Sequence, residues 1–143
     1  MSVAKILDEK GRDVVTIAGD RSMADAIAML NQHRIGALVV VDGAGAVQGI
    51  LSERDVVRAV GQSGAEGLAL KVSERMTRKV ATCAPTAVVH DLMEMMTQGK
   101  FRHVPVVESG RLAGMVSIGD IVKHRLEEME AESQALKDYI GAA

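Results

Sequence analysis

Residues 49–57 read GILSERDVV, and residues 114–122 read GMVSIGDIV. Each has the order Gly, two large apolar residues, Ser, two variable residues, Asp, then two β-branched residues. A pattern that recurs in order and spacing marks a duplicated unit. Upstream, positions 15–42 pair residue for residue with 81–108: Thr16 meets Thr82, Asp25 meets Asp91, Met29 meets Met95, Gln32 meets Gln98, and Val40-Val41 meet Val106-Val107. The spacing then shortens by one residue, because the turn DGAGAVQG (42–49) is one longer than ESGRLAG (108–114). A Gly-rich turn is where a duplicated unit best tolerates a length change.

Both copies parse alike. A short strand (Val14 to Ile17; Val80 to Thr82) leads through a polar turn into a helix. The apolar positions of that helix are Met23, Ala26, Ile27 and Leu30, matched by Val89, Leu92, Met93 and Met96, the spacing of one buried helical face. The continuous apolar runs Ala37–Val41 and Val104–Val107 predict strands buried on both faces. A Gly-containing turn leads to a third strand (Gly49–Leu51; Gly114–Val116), and a second helix starts at Ser-x-x-Asp. Each unit is thus β-α-β-β-α and about 50 residues long, too small to bury a good core alone. Two copies packed sheet to sheet with pseudo-twofold symmetry solve that problem. The expected organisation is an α/β fold with repeat 1 and its N-terminal segment at 1–68, repeat 2 at 69–125, and a C-terminal helical extension at 126–143.

Composition limits the function. The chain is 48% apolar and 25% charged, with a net charge of −2 and two aromatic residues, Phe101 and Tyr139. It has neither the basic surplus nor the stacking platforms that nucleic-acid binding draws on. The methionines Met93, Met95 and Met96 are expected to fill core space. Cys83, the single cysteine, excludes an internal disulfide and a four-Cys zinc site, and it suits a small buried hydrophobe in a reducing compartment. His33, His90 and His124 lack metal-site spacing, and no P-loop or GxGxxG is present. No apolar run approaches the roughly 18 residues of a membrane span. The expectation is a soluble cytoplasmic, non-catalytic protein.

Ser-x-x-Asp after a strand is close to a helix capping box, and capping alone accounts for Ser52/Asp55 and Ser117/Asp120. A capping box prefers the longer Glu or Gln at its third helical position, however, and both copies have Asp. A helix N-terminus also offers free amides and a positive dipole end to phosphate. A Ser hydroxyl and a carboxylate able to accept both ribose hydroxyls make the set suitable for a nucleotide.

These motifs, with ERMTRKVAT and RHVPVVE, resemble a tandem pair of CBS domains, or Bateman module, over roughly residues 3–125. KGRDVVTI with SERD and SIGDIVK further resembles the small stand-alone two-repeat proteins of bacteria. The resemblance implies adenosine-containing ligands (AMP, ADP, ATP, NAD(H) or S-adenosylmethionine) in clefts between the repeats. It implies Asp55 and Asp120 as ribose ligands and Ser52 and Ser117 as phosphate-side hydroxyls. The adenine edge falls to Val14, Val15 and Ile35 in repeat 1 and to Val80, Ala81 and Phe101 in repeat 2. Thr77 matches a ligand-contacting hydroxyl, and repeat 1 has Gly11 near that position. Arg102 and His103 stand where repeat 1 has Gly36-Ala37 and are candidates for phosphate, with Arg54 a further cation. The implied function is a regulatory module sensing energy or redox state. A ligand-free interaction module is the alternative, and neither the individual ligand nor a protein effector can be named.

The tail carries its own pattern. Val122, Leu126, Met129, Ser133, Leu136 and Ile140 form a seam on one long helix. Either the N-terminal Val3, Ile6 and Leu7 or the same helix of a second copy would cover it. The flat disc-like dimers usual for paired CBS repeats favour the second option, a homodimer.

Overall fold

The computed structural model describes residues 1–142. The elements run α1 (Val3–Lys10), β1 (Thr16–Ala18), α2 (Met23–His33), β2 (Ala37–Val41), β3 (Val47–Ser52) and α3 (Glu53–Ser63), then a 3-10 turn over Gly64–Ala69. They continue with α4 (Val72–Arg75), α5 (Val89–Gly99), β4 (His103–Glu108), β5 (Arg111–Ser117) and α6 (Ile118–Ala142). The β-α-β-β-α order is repeated, and the two halves pack sheet to sheet with a long C-terminal helix, as the duplication requires. The Leu112 amide donates to the Gly45 carbonyl (3.2 Å) and joins the two hairpin turns.

In the first half β2 is central, parallel to β1 and antiparallel to β3, which is why its apolar run is continuous. In the second half β4 pairs antiparallel with β5. The strand expected over 80–82 contracts to one parallel bridge between Cys83 and Val106. The cause is Pro105. Its counterpart Val39 donates an N–H to the Val15 carbonyl (3.4 Å). Pro105 has no N–H to give Ala81, so only the rung at Cys83 survives, with Cys83 N–H to the Pro105 carbonyl (3.1 Å) and Val107 N–H to the Cys83 carbonyl (2.8 Å).

Each half borrows the segment that precedes the other. Val3, Ile6 and Leu7 of α1 lie in one core with Val89, Leu92, Met96, Val104, Val106, Val116 and Ile121, all from the second half. Val72 of α4 lies in the other core with Ile17, Met23, Leu30, Leu38, Val40 and Leu51. Backbone bonds seal both crossings: Val3 N–H to Ala87 O (2.8 Å), and Val72 N–H to Arg21 O (2.8 Å). The N-terminal segment is therefore occupied within the chain and does not cover the α6 seam. Val122, Leu126, Met129, Leu136 and Ile140 remain 51–65% exposed. Met96 is buried, and Met93 and Met95 pack half-buried against the second core, the space-filling role expected of them.

The motif glycines exist for these crossings. A Cβ on Gly49 would stand 2.8 Å from the Thr77 carbonyl oxygen and 2.7 Å from Met76 Sδ. On Gly114 it would stand 2.8 Å from Leu7 Cδ2. The first obstacle includes backbone that is hydrogen-bonded to Ile50, whereas the second is a side-chain end that can turn aside. Gly49→Ala is accordingly expected to cost about 1–3 kcal/mol in urea unfolding and Gly114→Ala distinctly less.

Candidate functional site

The crossing of α4 creates a cleft of about 580 Å³ between the halves. One wall comes from the first half, with Gly36, Ile50, Ser52, Glu53, Arg54, Asp55 and Arg58. The other comes from the second, with Thr77, Lys79, Val80, Ala81 and the α5–β4 segment from Gly99 to His103.

At the floor Ser52 caps α3. Its hydroxyl oxygen accepts from the Asp55 N–H (3.4 Å), and Asp55 Oδ2 accepts from the Ser52 N–H (2.9 Å) and hydroxyl (3.1 Å). The box therefore closes with Asp. The preference for Glu or Gln, which set these motifs apart from an ordinary capping box, does not prevent closure here: the extended backbone at Ser52 (φ −106°, ψ 167°) directs its N–H at the shorter carboxylate. Ser117 and Asp120 close the same way, with Ser117 N–H to Asp120 Oδ2 at 2.8 Å and Asp120 N–H to Ser117 Oγ at 3.2 Å. Asp55 is buried, and the Thr77 hydroxyl donates to its Oδ1 (3.2 Å). Thr77 thus serves the carboxylate of the opposite half, a pairing that the crossing produces.

The cleft gathers nine expected residues: Ser52, Arg54, Asp55, Thr77, Val80, Ala81, Phe101, Arg102 and His103. Val14, Val15, Ile35, Ser117 and Asp120 lie outside it, Val15 and Ile35 being packed against the first core. The structure adds Arg58, Lys79 and Lys100. Arg58 lies one turn after Arg54 on α3 and could have been found from that spacing. Lys79 and Lys100 belong to loops whose meeting depends on the crossing, and nothing local signals them. Among the described residues, none of Arg54, Arg58, Lys79, Lys100 and Arg102 forms an ion pair. Five cations thus converge beside only two carboxylates, Glu53 and Asp55. Such a field attracts an anion of several charges.

The CBS-domain model matches residues 6–62 and again 72–127. The chain belongs to the CBS-domain family. Among its relatives, the mitochondrial CBS domain-containing protein CBSX3 of Arabidopsis thaliana is 34% identical over 97% of this chain and 71% of that protein. The crystal structure of the CBS-domain protein ATU1752 of Agrobacterium tumefaciens is 52% identical, with a TM-score of 0.84 over 87% of this chain and 99% of that one. The CBS pair of protein MJ0100, solved with 5′-methylthioadenosine and S-adenosyl-L-methionine, is 28% identical, with a TM-score of 0.79 over 90% and 98%. CBS domains are non-catalytic regulatory modules, and the chain carries a pair of them. Among the described residues no group of three His, Cys, Asp or Glu is placed to hold a metal, and no helix is long and apolar enough to cross a membrane. Burial pushes the Cys83 thiol up to about 11, which leaves it without nucleophilic thiolate near neutrality.

His103 stands between the cleft and the second half of this CBS pair. Burial holds its pKa below the usual histidine value; Lys10 and Arg102 lower it further, while Asp120 and Glu53 offset part of the shift. A histidine whose folded pKa is depressed weakens the fold as pH drops below its unfolded value of about 6.5, because the unfolded chain takes up the proton first. Wild-type stability is expected to decline from about pH 6.5 downward, and His103→Gln to flatten that part of the profile in unfolding measured at stepwise pH.

Proposed function

We propose that the chain is a sensor for a phosphate-bearing adenosine nucleotide, held in the cleft at Asp55. The observation that carries this is the convergence of five unpaired cations on a cleft whose floor is a buried, capped carboxylate. Asp55 and Thr77 offer acceptor and hydroxyl to a ribose, and the α3 amides with Arg54, Arg58 and Arg102 face the phosphates. The backbone at Val80 and Ala81, beside Phe101, takes the adenine. The MJ0100 relative, with its two adenosine-containing ligands, supports the nucleoside half of this assignment. The cations favour anionic members of the class: a sulfonium gains nothing beside Arg54, Arg58 and Lys79, whereas each phosphate does. A ligand in the cleft touches both halves. It shifts their relative angle, or affinity for a partner, by its difference in affinity for the two states.

A second copy completes the reading. Val57 on α3 and Val122 on α6 occupy the same place in the two repeats, and both are exposed. The fold therefore presents one apolar position twice, related by its internal pseudo-twofold and continued along α6 by Leu126 and Met129. A face that repeats under a twofold suits an isologous homodimer. Leu126→Glu with Leu136→Glu is expected to leave the monomer folded and to abolish concentration-dependent association in sedimentation equilibrium.

The ligand assignment is tested by thermal shift and calorimetry with ATP, ADP, AMP, NAD, NADH, adenosine and S-adenosylmethionine. Asp55→Asn, Thr77→Val and Arg102→Gln are the variants of choice, because Asp55→Ala would also remove the capping-box acceptor of the Ser52 N–H. Saturation at about 100 times the dissociation constant should stabilise by about 2.7 kcal/mol. ATP and ADP should bind more tightly than AMP, and AMP more tightly than adenosine or S-adenosylmethionine. Arg102→Gln should weaken ADP at least about tenfold, the loss of one charge-assisted bond. If no compound shifts the wild type, the ligand-free interaction module is the correct description.

A further inference from the structure

The two halves of this pair share the Ser-x-x-Asp motif but not the surroundings that make it a site. In the first half Thr77 serves two acceptors: its N–H donates to the Ile50 carbonyl (2.8 Å) and its hydroxyl to Asp55 Oδ1 (3.2 Å). The matching acceptors in the second half are the Met115 carbonyl, which also follows the motif glycine, and Asp120. One group takes both. Lys10 Nζ donates to the Met115 carbonyl at 3.0 Å and to Asp120 Oδ2 at 2.6 Å. The geometric reason is length. α1 is longer than α4, 8 residues against 4, and its last residue reaches a place the shorter helix leaves to Thr77.

The two arrangements differ in kind. A hydroxyl at 3.2 Å can rotate its proton toward an incoming sugar and leave the carboxylate charged. An ammonium at 2.6 Å has no acceptor lone pair, and it sits on Oδ2, the oxygen that also accepts from the Ser117 N–H, so the charge of the carboxylate is compensated within the chain. Burial pushes the Asp120 carboxyl up, yet Lys10 and Ser117 together hold it below the usual carboxylate value. The pair is also partly withdrawn from solvent, with side chains 37% and 22% exposed.

Two further differences point the same way. The positions matching Arg54, Arg58, Lys79, Lys100 and Arg102 are Gly119, Lys123, Asp13, Arg34 and Gly36. Two of the five positions keep a cation, as Lys123 and Arg34, two become glycine and one becomes an acid, so the phosphate field is weakened. The Val15 carbonyl, counterpart of Ala81, is already engaged by the Val39 N–H.

We propose that the chain takes one nucleotide, at Asp55, and that Lys10 is a built-in cationic occupant that keeps Asp120 from serving as a second site. This rests on the nucleotide assignment made above for the Asp55 half. Isothermal titration with ADP on the full chain tests it. Wild type and Asp120→Asn should each bind one ADP per chain, and Asp55→Asn should bind at least about tenfold more weakly, an arginine-free loss of about 1.4 kcal/mol. Lys10→Met, which keeps the apolar stem, should gain a second, weaker equivalent that Asp120→Asn removes again. Two equivalents in wild type, or a Lys10→Met protein that still takes one, would overturn the proposal. Melting without ligand separates this from failure of the nucleotide assignment. If ADP binds no variant, that assignment falls, and the melting temperatures decide the lysine. Lys10→Met and Asp120→Asn each lowering it, with no further loss in the double variant, keep Lys10 as the occupant of Asp120; additive losses remove it from that role.

Discussion

The crossing of each leading segment onto the opposite half is the constraint on which the rest of the structure depends. A β-α-β-β-α unit of this size leaves one side of its small core open. In this chain α1 closes the second half and α4 the first, so neither half is complete without residues that precede the other. Gly49 and Gly114 are the points where that exchange meets the third strands, and their missing Cβ atoms are the space it uses. The cleft is a by-product of the same geometry. Once α4 has crossed over β3, the chain must return to its own half along residues 77–83, and that return forms the wall opposite Asp55.

This explains which parts were legible in the sequence. Local periodicity suffices for α2, α5 and the buried strands, because each is dictated by its own apolar spacing. The motif carboxylates were visible because duplication printed them twice. The pairing of Asp55 with Thr77, Lys79 and Ala81 was not, since it is set by the exchange of segments and leaves no local trace. Pro105 is a different case. Its effect on the strand at 80–82 acts through the partner strand, and only register shows that Pro105 stands where Val39 donates. The inequality of the two halves was partly written in the residues: Arg102 and His103 against Gly36 and Ala37 are readable side by side. Lys10 was not, because the alignment of repeats sets Gly11 near Thr77, while a helix one turn longer brings its neighbour to Asp120.

Capping and ligand binding are not competing explanations of Ser-x-x-Asp. A carboxylate that closes a capping box accepts amide hydrogens along one edge, and in Asp55 the Oδ2 atom carries that duty while Oδ1 meets Thr77. The cap fixes the rotamer and holds the carboxylate at the cleft floor, so a hydroxyl pair meets an acceptor that is already oriented. Preorganisation of this kind reduces the ordering cost of binding. The same box at Asp120 keeps the structural duty, and its Oδ2 accepts from Lys10 as well. One motif can therefore keep its form across a duplication while the groups that surround its carboxylate differ between the copies.

A net charge of −2 conceals the field that matters. Acidic residues that do not line the cleft, such as Glu127, Glu128 and Glu130 on α6, balance the total. At the cleft the local sum is positive and is contributed by both halves: Arg54 and Arg58 from α3, Lys79, Lys100 and Arg102 from across. Like charges on facing walls repel, and an anion bridging the walls offsets that repulsion. Under the nucleotide assignment proposed above, this would supply the differential affinity between two states that any switch requires. On that assignment, more phosphates engage more of the facing cations, so the charge of the ligand, and not its base, would grade the response. Such a module would distinguish nucleotides by phosphate number with a single pocket.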